Sequence, residues 1–399
     1  MRNAFAAVCA TLWFAFVVSA QAVPKTLVLD GFLLEKHRIE NTSGKSARSG
    51  DIAQLINAAD KILRAGRTYS VTKKSQVPPS GSKNDYMSLG PYWWPDPSKP
   101  NGLPYIRRDG ERNPEIKNIP DDTEYNDMLE DSEALALAYF FTRDEKYAKH
   151  ATTVLRTWFL DPKTRMNPNL NFGQGIPGIS TGRGIGMIET RNMFRAIDAA
   201  IILQSSQSWP ASDHVALKNW FREFLKWSIE SPLGKDEADE QNNHGTYYDV
   251  QVVAYSLFTD QIDVAKKQLE LTKERIASQV GTDGSQPHEL ARTLSWGYVN
   301  MNGYGFVTLA RLGESAGVDL WHYRTKDGRG VREVLEWIVP FAAGEKEWTY
   351  KQIKPRSYDL TVPLLEIGAL KYKNSEYSTI AAKLRNSGDK IAFRTLGLY

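Results

Sequence analysis

The sequence predicts an all-α protein whose helical hairpins curl into an incomplete (α/α) toroid, with long loops lining a substrate groove. From residue 121 onward, apolar residues recur at helical spacing in one segment after another. The connections are mostly short, with a few long loops between helix pairs. Strand-like alternation is scarce, and Lys25–Leu29 is the best candidate strand. A plain bundle or an α-solenoid is the alternative, and the lack of a fixed-length repeat weighs against the solenoid.

The helical pattern begins with a clear apolar stripe over residues 50–65. Further helices are expected at 123–141, 144–159, 187–203, 212–229, 246–258, 261–278, 299–313, 331–343, 360–370 and 375–387. Residues 67–120 differ, because they are rich in Pro, Gly, Asn and aromatic residues. We expect a long ordered loop there, packed by its own aromatic side chains.

The first residues have the pattern of an export signal. Arg2 precedes an uncharged apolar stretch over 4–18, and Ala20-Gln21-Ala22 has the small-x-small form of a cleavage site. We therefore predict a signal peptide over 1–22 that is cleaved after Ala22, and a single domain over 23–399 that is periplasmic or secreted. No second long apolar stretch follows, so no membrane association is expected.

Composition excludes several classes of function. The formal net charge of +3 is too small to indicate nucleic-acid binding. The only cysteine, Cys9, lies in the predicted signal peptide, which excludes cysteine catalysis in the mature chain. No HExxH motif occurs, so a zinc protease is not indicated. We expect no metal and no cofactor. The many aromatic residues suit core packing and also carbohydrate binding.

Three regions collect unusual polar and aromatic residues. In the first, Tyr92, Trp93 and Trp94 precede a Pro-rich turn, and they form either a sugar-binding platform or a loop folded onto the domain. The second, over 161–186, is rich in glycine. It is either a flexible surface loop or a carboxylate-binding site, which is favoured by its nearby side-chain donors, Asn171, Gln174, Arg183 and Arg191.

The third region combines residues 239–248 with residues 286–298. Asn242 or Asn243 is a suitable N-cap for the helix that follows. Glu289 and Arg292 would share a helical face, with Gly297 breaking the helix before Tyr298. The alternatives are a Glu289–Arg292 salt bridge and a tyrosine that only packs in the core.

Asparagine, histidine, arginine and tyrosine together suit β-elimination from a polyuronate. An amide and a cation can neutralise the uronate carboxylate, so that the neighbouring C5–H becomes acidic. A tyrosine whose pKa is lowered by nearby Arg or His can remove that proton and protonate the leaving oxygen. Two rivals remain. One is a glycoside hydrolase that uses carboxylates such as Asp239 and Glu240, and the other is a non-catalytic protein that binds acidic glycans.

The chain also resembles the alginate-lyase family of the (α/α)-toroid polysaccharide lyases, in the chondroitinase/alginate lyase superfamily. The resemblance covers roughly residues 50–345, and it lies in Asn242-Asn243-His244, in Asn171-Phe172-Gly173-Gln174 with Arg183, and in Arg292 with Tyr298. It implies that Asn243 and His244 neutralise the carboxylate, that Arg292 steadies the site and that Tyr298 is the acid and base. Tyr247 and Tyr304 compete with Tyr298 for that role.

The resemblance also implies an acidic polysaccharide substrate. Alginate is favoured, whereas the Tyr-Trp-Trp-Pro loop resembles a branch of the superfamily for which glucuronan is the alternative. We expect the protein to be a monomer. The predicted substrate-binding residues are Gln174, Arg183, Asn171, Tyr92, Trp93, Trp94, Arg191 and Glu289.

Overall fold

The computed structural model describes residues 23–385 and 394–398, so the predicted signal peptide lies outside the described residues. The α-helices are α1 Gly31–Thr42, α2 Ser49–Ala65, α3 Asp121–Thr142, α4 Glu145–Leu155, α5 Phe194–Leu203, α6 Ala211–Glu230, α7 Pro232–Asp239, α8 Asn243–Phe258, α9 Ile262–Gln279, α10 Pro287–Leu290, α11 Ser295–Ala316, α12 Val331–Ala342, α13 Thr361–Tyr372 and α14 Ser375–Leu384. None of these helices is long and apolar enough to cross a membrane.

The helices form two layers, as predicted for an (α/α) toroid. Helices α3, α5, α8, α11 and α13 contact one another in that order and form the inner layer. Helix α8 is buried without interruption from Gly245 to Phe258, as expected for a helix that is covered on all sides. Helices α4, α6, α9, α12 and α14 pack outside them as hairpin partners. The apolar inner helices therefore hold the core, and polar residues at their ends are free to form a site.

The predicted strand at Lys25–Leu29 is wrong. This segment is irregular, and the backbone N–H groups of Leu27, Val28 and Leu29 donate to the buried carboxylate of Asp198 on α5. A carboxylate of the inner layer therefore supplies the acceptors that a neighbouring strand would have supplied. Helices α1 and α7 were not predicted, because both are short of apolar residues at regular spacing.

The described strands are short and belong to the long loops. Strand β1 (Met87–Leu89) pairs in parallel with β4 (Phe172–Gly175). This pairing joins the loop over 67–120, called the aromatic loop below, to the glycine-rich loop over 161–186. Strands β2 (Trp93–Trp94) and β3 (Ile106–Arg107) form an antiparallel pair within the aromatic loop. The predicted ordered loop over 67–120 is thus pinned to the toroid by backbone hydrogen bonds.

A buried ion pair anchors the start of the aromatic loop. The Lys74 ammonium lies 2.8 Å from Asp121 at the start of α3, and both side chains are fully buried. Lys74 also donates to the carbonyl oxygens of Val71 and Lys83, and Asp121 accepts from the backbone N–H of Met87. The Lys74–Asp121 pair therefore holds in place the segment that leads to Tyr92.

Candidate active site

A cleft of about 630 Å³ opens where the long loops meet the ends of the inner helices. Nine of the predicted site residues line it, namely Tyr92, Trp93, Gln174, Arg183, Arg191, Asn243, His244, Arg292 and Tyr298. The structure thus brings residues from four distant stretches of the chain into one concave surface. Such a cleft is the form expected of a small-molecule or glycan site.

The start of α8 places Asn243 and His244 in the cleft. The side chain of Asn242 caps the helix by accepting from the backbone N–H of His244 at 2.9 Å, as predicted. Asn243 and His244 therefore lie in the first helical turn. The backbone N–H and the Nδ2 amide of Asn243 donate to the two carboxylate oxygens of Glu289, at 2.6 and 2.8 Å.

His244 has a buried carboxylate partner that sequence reasoning missed. Its Nδ1 lies 3.1 Å from Oε1 of Glu237, a residue of α7 with no exposed surface. Burial raises the pKa of Glu237, and the neighbouring His244 opposes that rise. A carboxylate on Nδ1 orients the ring and directs Nε2 away from it. The available signal was Glu237 lying seven positions before His244, but no helix had been predicted there.

The phenol of Tyr298 lies in a network of three side chains. Its hydroxyl is 2.8 Å from the hydroxyl of Tyr92, and Arg292 Nη2 donates to it at 2.8 Å. The Arg292 guanidinium also lies over the Tyr298 ring, 3.9 Å from its centroid. Asp109 in the aromatic loop holds Arg292 through a second hydrogen bond of 2.8 Å. The aromatic loop therefore closes directly onto Tyr298.

The expected lowering of the Tyr298 pKa does not occur in the free protein. Burial raises the pKa well above its usual range, Tyr92 raises it further, and Arg292 only partly opposes them. The physical reason is desolvation. Burying a phenolate away from water costs more free energy than its attraction to one arginine regains. The free protein holds Tyr298 as a neutral phenol.

One expectation and one alternative for the region near Tyr298 are also wrong. Gly297 does not break the helix, since α11 runs continuously from Ser295 to Ala316. Tyr298 reaches the cleft because it lies in the first turn of α11. Glu289 and Arg292 do not form a salt bridge either, because Glu289 binds Asn243 and Arg292 binds Asp109.

Gln174 and Arg183 form one wall of the cleft. Arg183 donates to the Gln174 side-chain oxygen at 2.7 Å and to its backbone oxygen at 3.0 Å. Burial lowers the pKa of Arg183 to about 10, which leaves it charged at neutral pH. Gln174 has a positive φ of 50°, a conformation that is uncommon for a residue with a side chain. The backbone here is bent to present both side chains.

The glycines of this loop allow close backbone contacts. A Cβ on Gly182 would lie 2.1 Å from the carbonyl oxygen of Asn171, and one on Gly186 would lie 2.6 Å from that of Gly173. No larger residue fits at either position. The alternative of a flexible surface loop is therefore not what the structure shows.

Arg191 is a half-buried cation of the cleft that has no carboxylate partner among the described residues. Its guanidinium donates to the backbone oxygen of Ile188 at 3.0 Å, and it forms no salt bridge with any carboxylate in residues 23–385 or 394–398. Arg107 and Arg292, by contrast, are both paired with Asp109. Arg191 is half-buried, so an anionic ligand would find a partly desolvated positive charge there.

Three predicted substrate contacts do not line the cleft. Asn171 is exposed and accepts from the indole N–H of Trp227. Trp94 donates to the backbone oxygen of Glu111 and stacks beneath Arg108. Glu289 is 1% exposed and lies behind Asn243. Sequence adjacency suggested these roles, but neighbouring side chains in an extended loop or a tight turn point to different sides.

The competing tyrosines lie elsewhere. Tyr247 and Tyr304 line a smaller pocket of about 140 Å³ next to the cleft. Tyr247 is buried and donates to the backbone oxygen of Met301, and burial raises its pKa. Among the described residues, no group of three or more His, Cys, Asp or Glu side chains could hold a metal ion.

The comparisons with known proteins agree on one family. The family model for alginate lyases matches residues 70–348. The structure of an alginate lyase from Bacteroides ovatus is similar with a TM-score of 0.88 and 36% sequence identity, over 94% of this chain and 100% of that chain. None of the curated proteins compared with the sequence matches it.

More distant structures share the fold. Alginate lyase A1-III from Sphingomonas species A1 is similar with a TM-score of 0.58 and 16% identity, over 95% of this chain and 99% of that chain. A variant of alginate lyase A1-III complexed with a tetrasaccharide gives a TM-score of 0.57 at 16% identity, over 92% and 98% of the two chains.

Proposed function

Because the chain belongs to the alginate lyase family, we propose that it is a polysaccharide lyase that cleaves 1,4-linked polyuronates, alginate above all, by β-elimination. The observation that carries the proposal is the hydrogen bond between Arg292 and the Tyr298 phenol, in the same cleft as Asn243 and His244. This arrangement supports the proposal, because a phenol that can act as acid and base lies near groups that can neutralise a carboxylate. Family membership alone supports the reaction class better than the residue roles.

Neutralisation of the uronate carboxylate is the first requirement of the reaction. Asn243, His244 and Arg191 line the cleft, and they carry a side-chain amide, an imidazole and a guanidinium. Hydrogen bonds and positive charge on the carboxylate stabilise the enolate-like anion that forms when C5 loses its proton. Glu237 fixes the His244 ring, so that Nε2 is the nitrogen available to the substrate.

Proton transfer is the second requirement, and Tyr298 performs it. The neutral phenol first loses its own proton to solvent. As phenolate it then removes the C5 proton, and as phenol it passes that proton to the glycosidic oxygen as the C4–O bond breaks. Arg292 donates to the phenol oxygen and stabilises the phenolate. Tyr92 can donate as well, because either hydroxyl of that pair can be the donor. The products are a shortened chain and a 4,5-unsaturated uronate end.

The test is incubation of the purified protein with alginate, polymannuronate, polyguluronate and glucuronan. We expect ultraviolet absorbance from unsaturated ends with alginate and with at least one of its homopolymers. Absorbance with glucuronan alone would reassign the substrate within the same reaction. Absence of an absorbing product from all four polymers would refute the proposal.

A hydrolase is the less favoured function. Of the two carboxylates considered for it, Glu240 lines the cleft, whereas Asp239 is exposed and does not. A glycosidase needs two carboxylates that flank one bond, and this pair does not provide them.

The charge of Arg191 is expected to contribute to substrate affinity. Replacing Arg191 with Gln should raise KM for alginate roughly ten- to a hundredfold, which corresponds to the loss of one charge-assisted hydrogen bond. Steady-state kinetics measure the change, with Arg332→Gln as a matched control, because Arg332 is half-exposed and pairs with Glu336 on the outer helix α12. An unchanged KM in the Arg191 variant would remove this residue from the site.

We also propose that the chain is exported to the periplasm or secreted as a single domain over 23–399, and that it acts as a monomer. The pattern of residues 1–22 supports export. Sequencing the N-terminus of the protein made in a Gram-negative host should find Val23 first. A mature protein that still carries Arg2 would contradict this.

A further inference from the structure

The side chain of Asn243 is only half satisfied in the free protein. Asn243 and Glu289 are both buried, with 0% and 1% of their surface exposed. Glu289 accepts hydrogen bonds from the backbone N–H and from one side-chain amide N–H of Asn243. The Asn243 side-chain oxygen is buried and accepts no hydrogen bond from any described residue. An unpaired buried carbonyl is costly, so its presence in the cleft wall calls for a functional reason.

This orientation of the Asn243 amide does not suit the binding of a uronate carboxylate. The amide nitrogen, which is the donor, is committed to Glu289, and the end left over is an acceptor. A carboxylate substrate needs donors, and it is repelled by a carbonyl oxygen. Exchanging the amide oxygen and nitrogen needs only a half-turn about the last side-chain bond, because the two ends have nearly the same shape.

We propose that Glu289 is a positioning residue that takes up one proton from solvent when a uronate binds, and so turns the Asn243 amide toward the substrate. In the turned state the neutral Glu289 still accepts from the Asn243 backbone N–H through one oxygen. Its new O–H donates to the Asn243 side-chain oxygen, and the amide N–H₂ is released to the substrate carboxylate. This inference rests on the proposed function.

The surroundings of Glu289 favour protonation of its carboxylate when a uronate binds. Burial raises the pKa of Glu289, and hydrogen bonds from Asn243 and the charges of Arg292 and His244 oppose the rise. The other titratable group that faces it is the Tyr247 phenol on α8. A uronate carboxylate brought into the cleft adds a like charge, and like charge favours the protonated form.

A pair of substitutions separates this role from simple packing. In Glu289→Gln, the amide oxygen accepts from the Asn243 backbone N–H and the amide nitrogen donates to the Asn243 side-chain oxygen. Glutamine therefore holds the turned state without a proton. In Glu289→Met the size is similar but both hydrogen bonds are lost. We expect Gln to rescue kcat/KM to within about tenfold of wild type, and Met to lower it roughly a hundredfold.

Calorimetry of alginate tetrasaccharide binding measures the number of protons taken up. Titration of Tyr298→Phe in two buffers of different ionisation enthalpy, from acid to neutral pH, should show uptake that approaches one proton per site. The Glu289→Gln/Tyr298→Phe double variant should lack that component. The inference is overturned if Gln is as impaired as Met, or if the double variant takes up the same number of protons. Absence of unsaturated products from the wild type would instead refute the proposed function.

Discussion

Replacing Tyr298 with Phe is expected to lower kcat on alginate by on the order of 10³-fold or more, with little change in oligosaccharide affinity. The substitution removes one oxygen, which in the proposed mechanism is both the base at C5 and the acid at the leaving group. The ring and its contact with Arg292 remain, so the cleft keeps its shape. Initial rates of absorbance increase give kcat, and calorimetry with a tetrasaccharide gives affinity.

Tyr247→Phe is the matched control for this experiment. Tyr247 also lies near the cleft and was a rival for the same role, but its hydroxyl donates to the Met301 backbone. We expect its kcat to stay within a few-fold of wild type, since only about 1 kcal/mol of hydrogen-bond energy is removed from a group that does not touch the substrate. A fully active Tyr298→Phe variant would exclude Tyr298 from the acid–base role. An inactive Tyr247→Phe variant would assign that role to Tyr247.

Replacing Lys74 with Met is expected to lower the free energy of unfolding by about 3–5 kcal/mol. The change leaves the fully buried Asp121 carboxylate without its cation, and it removes donors from the backbone oxygens of Val71 and Lys83. Urea denaturation followed by far-ultraviolet circular dichroism measures the loss. Because this lysine anchors the loop that carries Tyr92, activity should fall at temperatures below those of global unfolding.

The adjacent Lys73 provides the control. Lys73 pairs with Glu124, but its side chain is 46% exposed. Because water reaches this half-exposed ion pair, Lys73→Met should cost less than about 1 kcal/mol. Equal destabilisation by the two substitutions would show that the loop is held by packing rather than by the buried ion pair.

Most of the fold could be predicted from local sequence, because helices depend on local periodicity. The bounds of α2, α6, α9 and α12 differ from the predicted ones by one or two residues. The N-cap role of Asn242 was also readable, since capping depends on residues within one turn. The prediction of a strand at Lys25–Leu29 was wrong because the conformation there depends on a distant residue. The backbone partner of this segment is the Asp198 side chain on α5, and no local pattern reveals that.

Part of the site was predictable because short motifs of the resembled family contain residue types that suit the proposed chemistry. These motifs identified Asn243, His244, Arg292 and Tyr298, and all four line one cleft. Two supporting carboxylates, Glu237 beside His244 and Asp109 beside Arg292, were not found. Asp109 is 183 positions from Arg292, and a bond of that separation exists only after the chain has folded. The direction of the Tyr298 pKa was missed for the same reason, because it depends on burial rather than on the neighbours in sequence.

The mass balance of alginate cleavage tests the central claim most directly. We would digest a defined alginate oligosaccharide with the wild-type protein and weigh all products by mass spectrometry. β-Elimination predicts product masses that add up to the mass of the substrate, with one product of every cut lighter than its saturated counterpart by one water. Products that are all saturated, with one water gained per cut, would show hydrolysis and contradict the account.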